Sequence, residues 1–163
     1  ELVQGIRRHT GIDVIDVDGA ARKLFRVLRR NQIVGLLIDR PVDASGVEVI
    51  FFGQRTNMPA GAAALALKTS AVVVPMGMWR NPDNSYSGMI APPIVPVSTG
   101  NVEQDVQALM QQIVQGLEGI IRLHPDQWYM FRPMWPNAPF QPAEHGLLEA
   151  PGSAQPEAGT GLA

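Results

Sequence analysis

The chain contains no cysteine, which excludes a disulfide framework, a thiolate nucleophile and any cysteine-based metal site. Neither GxGxxG nor GxxxxGKS occurs, so no glycine-rich loop is available to cradle phosphates. The motif GxSxG is also missing, and with it the strained nucleophile turn of an α/β-hydrolase. No apolar run approaches the ~20 residues that a membrane-spanning helix needs. Charge of one sign is not in excess either. The net charge is -2 and the pI 5.9, which gives no global attraction to nucleic acid, and none is expected as a partner.

What is present fits one globular domain of 163 residues with 45% hydrophobic content, and no internal repeat is found. The organising stretch runs from Ile33 to Pro75. Two compact apolar runs, Ile33 to Ile38 and Val47 to Phe52, read as buried strands separated by a loop with the turn pair Ser45 and Gly46. An Ala-rich helix entered through Asn57, Met58, Pro59, Ala60 and Gly61 leads to a third run, Ala71 to Pro75. This alternation predicts an α/β fold: a layered, mostly parallel sheet flanked by helices, incomplete at its amino-terminal side. Asp39 and Arg40 would then emerge at a strand's carboxyl end, where open α/β sheets place ligands.

Glu1 to His9 reads as the end of a helix stopped at Gly11, so the chain is expected to be the carboxyl-terminal piece of a longer protein. Ile12 to Val17 reads as a strand. A helix from the N-cap Asp18 to Asn31 would bury Leu24, Phe25, Val27 and Leu28 and leave Arg22, Lys23, Arg26, Arg29 and Arg30 wet. That basic face is either simply solvated or drawn to anionic lipid headgroups. Further along, Val72 to Trp79 and Ser87 to Val97 read as strands joined by the turn residues Asn81 to Asn84, with Pro92, Pro93 and Pro96 breaking the second. Asn101 caps the clearest helix, which runs to Leu123. Beyond Trp135 the composition turns to Pro, Ala, Gly and Glu, so a domain at 1–135 with a disordered tail at 136–163 is expected.

The three histidines form no obvious cluster, and no metal site is expected. His9 and Asp13 are four apart, but Gly11 between them argues against a shared helical face. His124 sits at a helix end, where an imidazole commonly satisfies last-turn carbonyls, and His145 lies in the tail. The Asp39 and Arg40 pair reads in two ways: a strand-end ion pair, or a carboxylate that orients a general base beside a guanidinium that grips an anion. The aromatic cluster Trp128, Tyr129, Phe131 and Trp135 suits either a core or a membrane interface, and Trp79 a core.

Taken in order, D-R at Asp39, G-V-E-V-I-F-F-G at Gly46, M-P-A-G at Met58 and H-P-D-Q-W at His124 resemble a family of bacterial membrane-associated acyltransferases. The family includes the lipid A biosynthesis lauroyl acyltransferases and phosphatidylinositol mannoside acyltransferase, and the likeness covers roughly 1–135. It implies transfer of a fatty acyl group from acyl-CoA or acyl-carrier protein to a hydroxyl of a glycolipid or lysophospholipid. The place would be the cytoplasmic face of the inner membrane. It implies no cofactor beyond that thioester co-substrate, membrane lipids as partners, and a monomer. The family's general base is a His in an H-x4-D/E block. That block is absent here, because His9 is followed by Val14 at the required place, so the chain alone is expected to be inactive. By the same resemblance Asp39 is the acidic residue supporting the catalytic His, and Arg7 an arginine at the site mouth. Arg40 would neutralise phosphate. Phe52, Gly53, Met58, Pro59, Ala60 and Gly61 would border the acyl and donor pocket. The alternative is a lipid- or partner-binding domain that keeps the fold without the chemistry.

Overall fold

The computed structural model describes residues 9–15, 19–40, 46–131 and 133–135. Its elements in order are α1 (Ala20–Leu28), β1 (Val47–Phe51), β2 (Gln54–Met58), α2 (Gly61–Thr69), β3 (Met76–Arg80), β4 (Tyr86–Ile90) and α3 (Val102–Ile121), then a 3-10 turn at Pro125–Gln127.

Two antiparallel hairpins replace the expected layered, mostly parallel sheet. The reason lies in the connections, because strands joined by short turns can only run antiparallel, while parallel neighbours need a long crossover. Phe52 and Gly53, both with positive φ (51° and 77°), turn β1 directly into β2, with Phe51 opposite Gln54 and Val47 opposite Met58. Asn81 to Ser85 turn β3 into β4, closed by the Asn81 N–H on the Ser85 carbonyl at 2.8 Å. The second ladder continues past its strands: the Ala91 N–H donates to Pro75 O at 2.9 Å, and Val73 and Ile94 exchange bonds of 2.9 and 2.8 Å.

The run Ile33 to Ile38 forms no strand. Ile33 and Leu37 are 96% and 94% exposed, so Asp39 does not stand at a strand end. A strand needs a ladder partner, and the free edge of β1 is already taken by side chains of α3. Gln111 accepts from the Ile50 N–H at 2.8 Å and donates to Ile50 O at 2.9 Å, while Gln107 donates to Glu48 O at 3.2 Å. These amides satisfy the backbone groups that a neighbouring strand would use. Gln127 does the same for β3, holding the Arg80 N–H and carbonyl at 2.8 and 2.9 Å.

The helix at Asn101 forms as its sequence predicts, with the Asn101 side chain accepting from the Gln104 N–H at 3.3 Å. α3 is the central beam: Leu109, Met110, Ile113 and Val114 meet Val49, Phe51 and Met58 of the first hairpin and Ala63 and Ala66 of α2 in one buried cluster. Gly77 lets β3 reach α3, since a Cβ there would lie 2.5 Å from Ile120 Cγ2. α1 is shorter than expected and starts after Gly19 (φ 71°). It has no buried residue, and Phe25 stays 39% exposed, so its apolar stripe is not spent on the core. Ile12 to Ile15 are not a strand. Arg7, the proposed cap Asp18 and the tail 136–163 lie outside the described residues.

Candidate active site groove

A groove of about 900 Å³ opens between α1, the segment Leu36 to Ile38 and one side of α2. Three local features build it. The Ala-rich sequence of α2 favours helix and keeps its groove-side surface shallow, with Gly61, Ala64, Leu65 and Lys68 at helical spacing along one stripe. The segment 36–38 brings Leu36, Leu37 and Ile38 to the opening without a strand's geometry. α1 faces it with Ala21, Leu24 and Phe25, and with Arg22, Arg26 and Arg29 spaced by four and three. The result is an apolar trough whose walls carry four cations. Among the described residues none of these four has an ion-pair partner: the two ion pairs present are Arg55 with Glu48 and Arg122 with Glu118.

The structure brings some of the sequence-selected residues together and separates others. Pro59 and Gly61 line the groove. Asp39, half-buried, and Arg40, exposed, follow Ile38 of its wall, and neither makes a hydrogen bond or ion pair with another described residue. Met58 is fully buried in the core, next to the groove in sequence but not part of its surface.

Phe52 and Gly53 are at the other end of the hairpin, where a different assembly forms. The Phe52 N–H donates to Glu118 Oε1 at 2.7 Å, Arg122 donates to Glu118 Oε2 at 2.7 Å, and the Arg122 guanidinium lies 5.1 Å from the Phe52 ring centre. Phe51, Phe52, Trp128 and Trp135 pack ring against ring, and Trp135 Nε1 donates to Phe51 O at 3.1 Å. The aromatic segment is therefore partly core, through Trp128 and Trp135. Tyr129 and Phe131 are 67% and 87% exposed and stack with ring centres 6.3 Å apart.

Of the histidines, His124 stacks on Trp79 at 4.5 Å and His9 is exposed. Among the described residues no three His, Asp or Glu side chains gather into a metal site. From the sequence, Arg22, Arg26 and Arg29 read only as part of a basic face, solvated or drawn to anionic headgroups, and Lys68 is not singled out; the groove brings these four together. The signal that would have found them is the four-and-three spacing of α1 arginines beside an apolar stripe.

No described helix is long and apolar enough to cross a membrane. The family profile described as bacterial lipid A biosynthesis acyltransferase matches residues 1–137. Phosphatidylinositol mannoside acyltransferase of Mycobacterium tuberculosis (strain CDC 1551 / Oshkosh) is 35% identical over 133 residues, 79% of this chain and 40% of that protein. The protein of the same name from Mycolicibacterium smegmatis is also 35% identical over 133 residues, covering 79% of this chain and 42% of the relative. The chain thus spans about two fifths of the length of these relatives. The match over 1–137 and the shared identity agree: this chain belongs to the bacterial lipid A biosynthesis acyltransferase family.

Proposed function

We propose that the protein transfers a fatty acyl group from a thioester donor, acyl-CoA or acyl-carrier protein, to a hydroxyl of a glycolipid or lysophospholipid in membrane lipid synthesis. It acts as a monomer at the cytoplasmic face of the inner membrane and needs no cofactor beyond the thioester. The observation that carries this reading is the apolar groove on a chain of this family: its trough of Leu, Ala and Phe side chains suits a hydrocarbon tail.

In such a transfer the acceptor oxygen adds to the thioester carbonyl carbon while a general base takes its proton. The C–S bond then breaks, and the departing sulfur recovers that proton. Asp39 is a positioning residue in this scheme, a carboxylate that orients the general base. Arg40 and Arg7 are the cations assigned to charge at the site mouth, and Arg7 lies outside the described residues. Phe52 and Gly53 belong to the scheme only by fixing the hairpin whose far end delivers Pro59 and Gly61 to the groove.

The test is acyl transfer from labelled acyl-CoA to a glycolipid extract by the full-length protein, with Asp39→Ala beside the wild type. The expected loss is in kcat, with KM for the thioester little changed. Unchanged kcat would remove Asp39 from the mechanism. An absence of product, with the labelled lipid retained on the protein, would favour a binding domain instead.

A further inference from the structure

We propose that the groove binds a phosphate-bearing amphiphile in one orientation, with the phosphate on Arg22, Arg26, Arg29 and Lys68 and the hydrocarbon along Phe25, Leu36 and Leu65. The proposal rests on the groove being the acyl substrate's site, and it turns the basic helix from a solvated face into a ligand-contacting wall.

Two observations carry it. First, α1 presents cations to the groove at positions spaced by four and three, and α2 answers from the opposite wall with Lys68, so the positive charge converges on one opening from two elements. None of the four has an ion-pair partner among the described residues, so no carboxylate there neutralises the charge they bring to the groove. Second, the trough beside them is apolar and poorly covered. Leu36 and Phe25 are 42% and 39% exposed, and Leu37 94%. Neither a free phosphate nor an uncharged fatty chain would satisfy both halves, whereas an amphiphile with both groups would. Guanidinium groups suit this role because they chelate phosphate through paired N–H donors. The phosphate has two possible sources, the donor thioester and a phospholipid headgroup.

The experiment measures binding by the full chain, at low and at physiological salt, with four monomeric probes: decanoyl-CoA, the phosphate-free thioester decanoyl-N-acetylcysteamine, dihexanoyl-phosphatidylinositol and the phosphate-free dihexanoylglycerol. The wild type is expected to bind at least one phosphate-bearing probe about tenfold or more tighter than its phosphate-free counterpart, with the gap narrowing in salt. The combined variant Arg22→Gln, Arg26→Gln, Arg29→Gln should abolish that gap. The control Lys23→Gln, Arg30→Gln removes two charges from the same helix outside the groove lining, and should shift it by less than about threefold. A gap confined to the CoA thioester names the donor as the source, and one confined to the inositol lipid names the headgroup. Equal affinity for charged and neutral probes, or equal losses in both variants, overturns the proposal. If the neutral thioester still binds, and Ala64→Phe blocks it, the groove keeps its acyl role and only the phosphate assignment falls. If no probe binds, both fall. All the substituted α1 side chains are exposed, so an unchanged melting temperature is the expected check on folding.

Discussion

Glu118 is the best place to test the packing argument, because one carboxylate there holds two partners at once. Phe52 sits in the left-handed region at φ 51°, a conformation that costs a residue with a Cβ about 1 to 2 kcal/mol. What offsets that cost is the charge-assisted bond from the Phe52 N–H to Glu118 Oε1 at 2.7 Å. A hydrogen bond to a charged group contributes about 1.5 to 3 kcal/mol. Arg122 completes the arrangement at 2.7 Å, but its side chain is 59% exposed, so that ion pair adds well under about 1 kcal/mol. Glu118→Ala therefore leaves a turn N–H without its acceptor and a strained residue without its anchor, and about 2 to 3 kcal/mol of stability should be lost. For a chain of this size that is a fall of roughly 4 to 12 °C in melting temperature. Glu118→Gln keeps an acceptor for Phe52 and should cost about half as much. Phe52→Gly relieves the backbone cost while losing ring contacts, so in its background the Glu118→Ala penalty should shrink. Urea unfolding followed by tryptophan fluorescence reads all three, since Trp128 packs 6.0 Å from the Phe52 ring. A Glu118→Ala loss below about 0.5 kcal/mol, or a penalty unaltered by Phe52→Gly, would refute the account.

Gln111→Ala strips the Ile50 N–H and carbonyl of their side-chain partner; a loss of about 1 to 2 kcal/mol in urea unfolding is expected, and faster amide exchange at Ile50 than at Val49. Gly77→Ala places a methyl 2.5 Å from Ile120 Cγ2, and a drop of about 1 to 3 kcal/mol in the same assay is expected, eased by Ile120→Val. Asp105 accepts from the Thr99 hydroxyl at 2.6 Å, from the Thr99 N–H and from the Ser98 hydroxyl, and these bonds hold its carboxyl below the ordinary range. The folded state therefore binds a proton less readily than the unfolded one. The stability Asp105 contributes is present above pH ~4 and is lost as the pH falls through its lowered value, so Asp105→Asn should flatten the acid limb of the melting profile.

The parts of the fold that were legible in the sequence are those fixed by neighbours along the chain. Asn101 caps α3 through a bond three residues away, and Asn81 to Ser85 close a hairpin with their own side chains. The parallel sheet was misread because Ile33 to Ile38 carries the composition of a buried strand while its pairing depends on residues far away. The edge it would join is closed by Gln107 and Gln111, separated from β1 by some sixty positions. A glutamine on a helix face gives no sign of this in sequence, and neither does Gln127 at the edge of β3. Near the groove, turn chemistry marks the helix start at Pro59 and Gly61, while their assignment to a pocket comes from the family resemblance; both line the groove. The α1 cations were seen as a face, but not as the wall of a groove, because that wall exists only when α2 lies opposite.

The two ends of the β1–β2 hairpin are held by different forces, and that division bears on how the groove works. At the turn, Glu118, Arg122 and the tryptophans tie Phe52 to α3. At the other end, Met58 is fully buried and Pro59 leads straight into α2, whose Ala63 and Ala66 join the same core. The α2 wall is thus an extension of the rigid core. The opposite wall is not: α1 has no buried residue, and Leu37 stands in water. An element with few buried apolar contacts opens at low free energy, so the groove has one fixed wall and one compliant wall. A ligand chain laid between them would take Phe25, Leu36 and Leu37 out of water, at roughly 25 cal/mol for each Å² covered. The exposure that weakens α1 in the free protein is therefore the same surface that an amphiphile would use to fasten it.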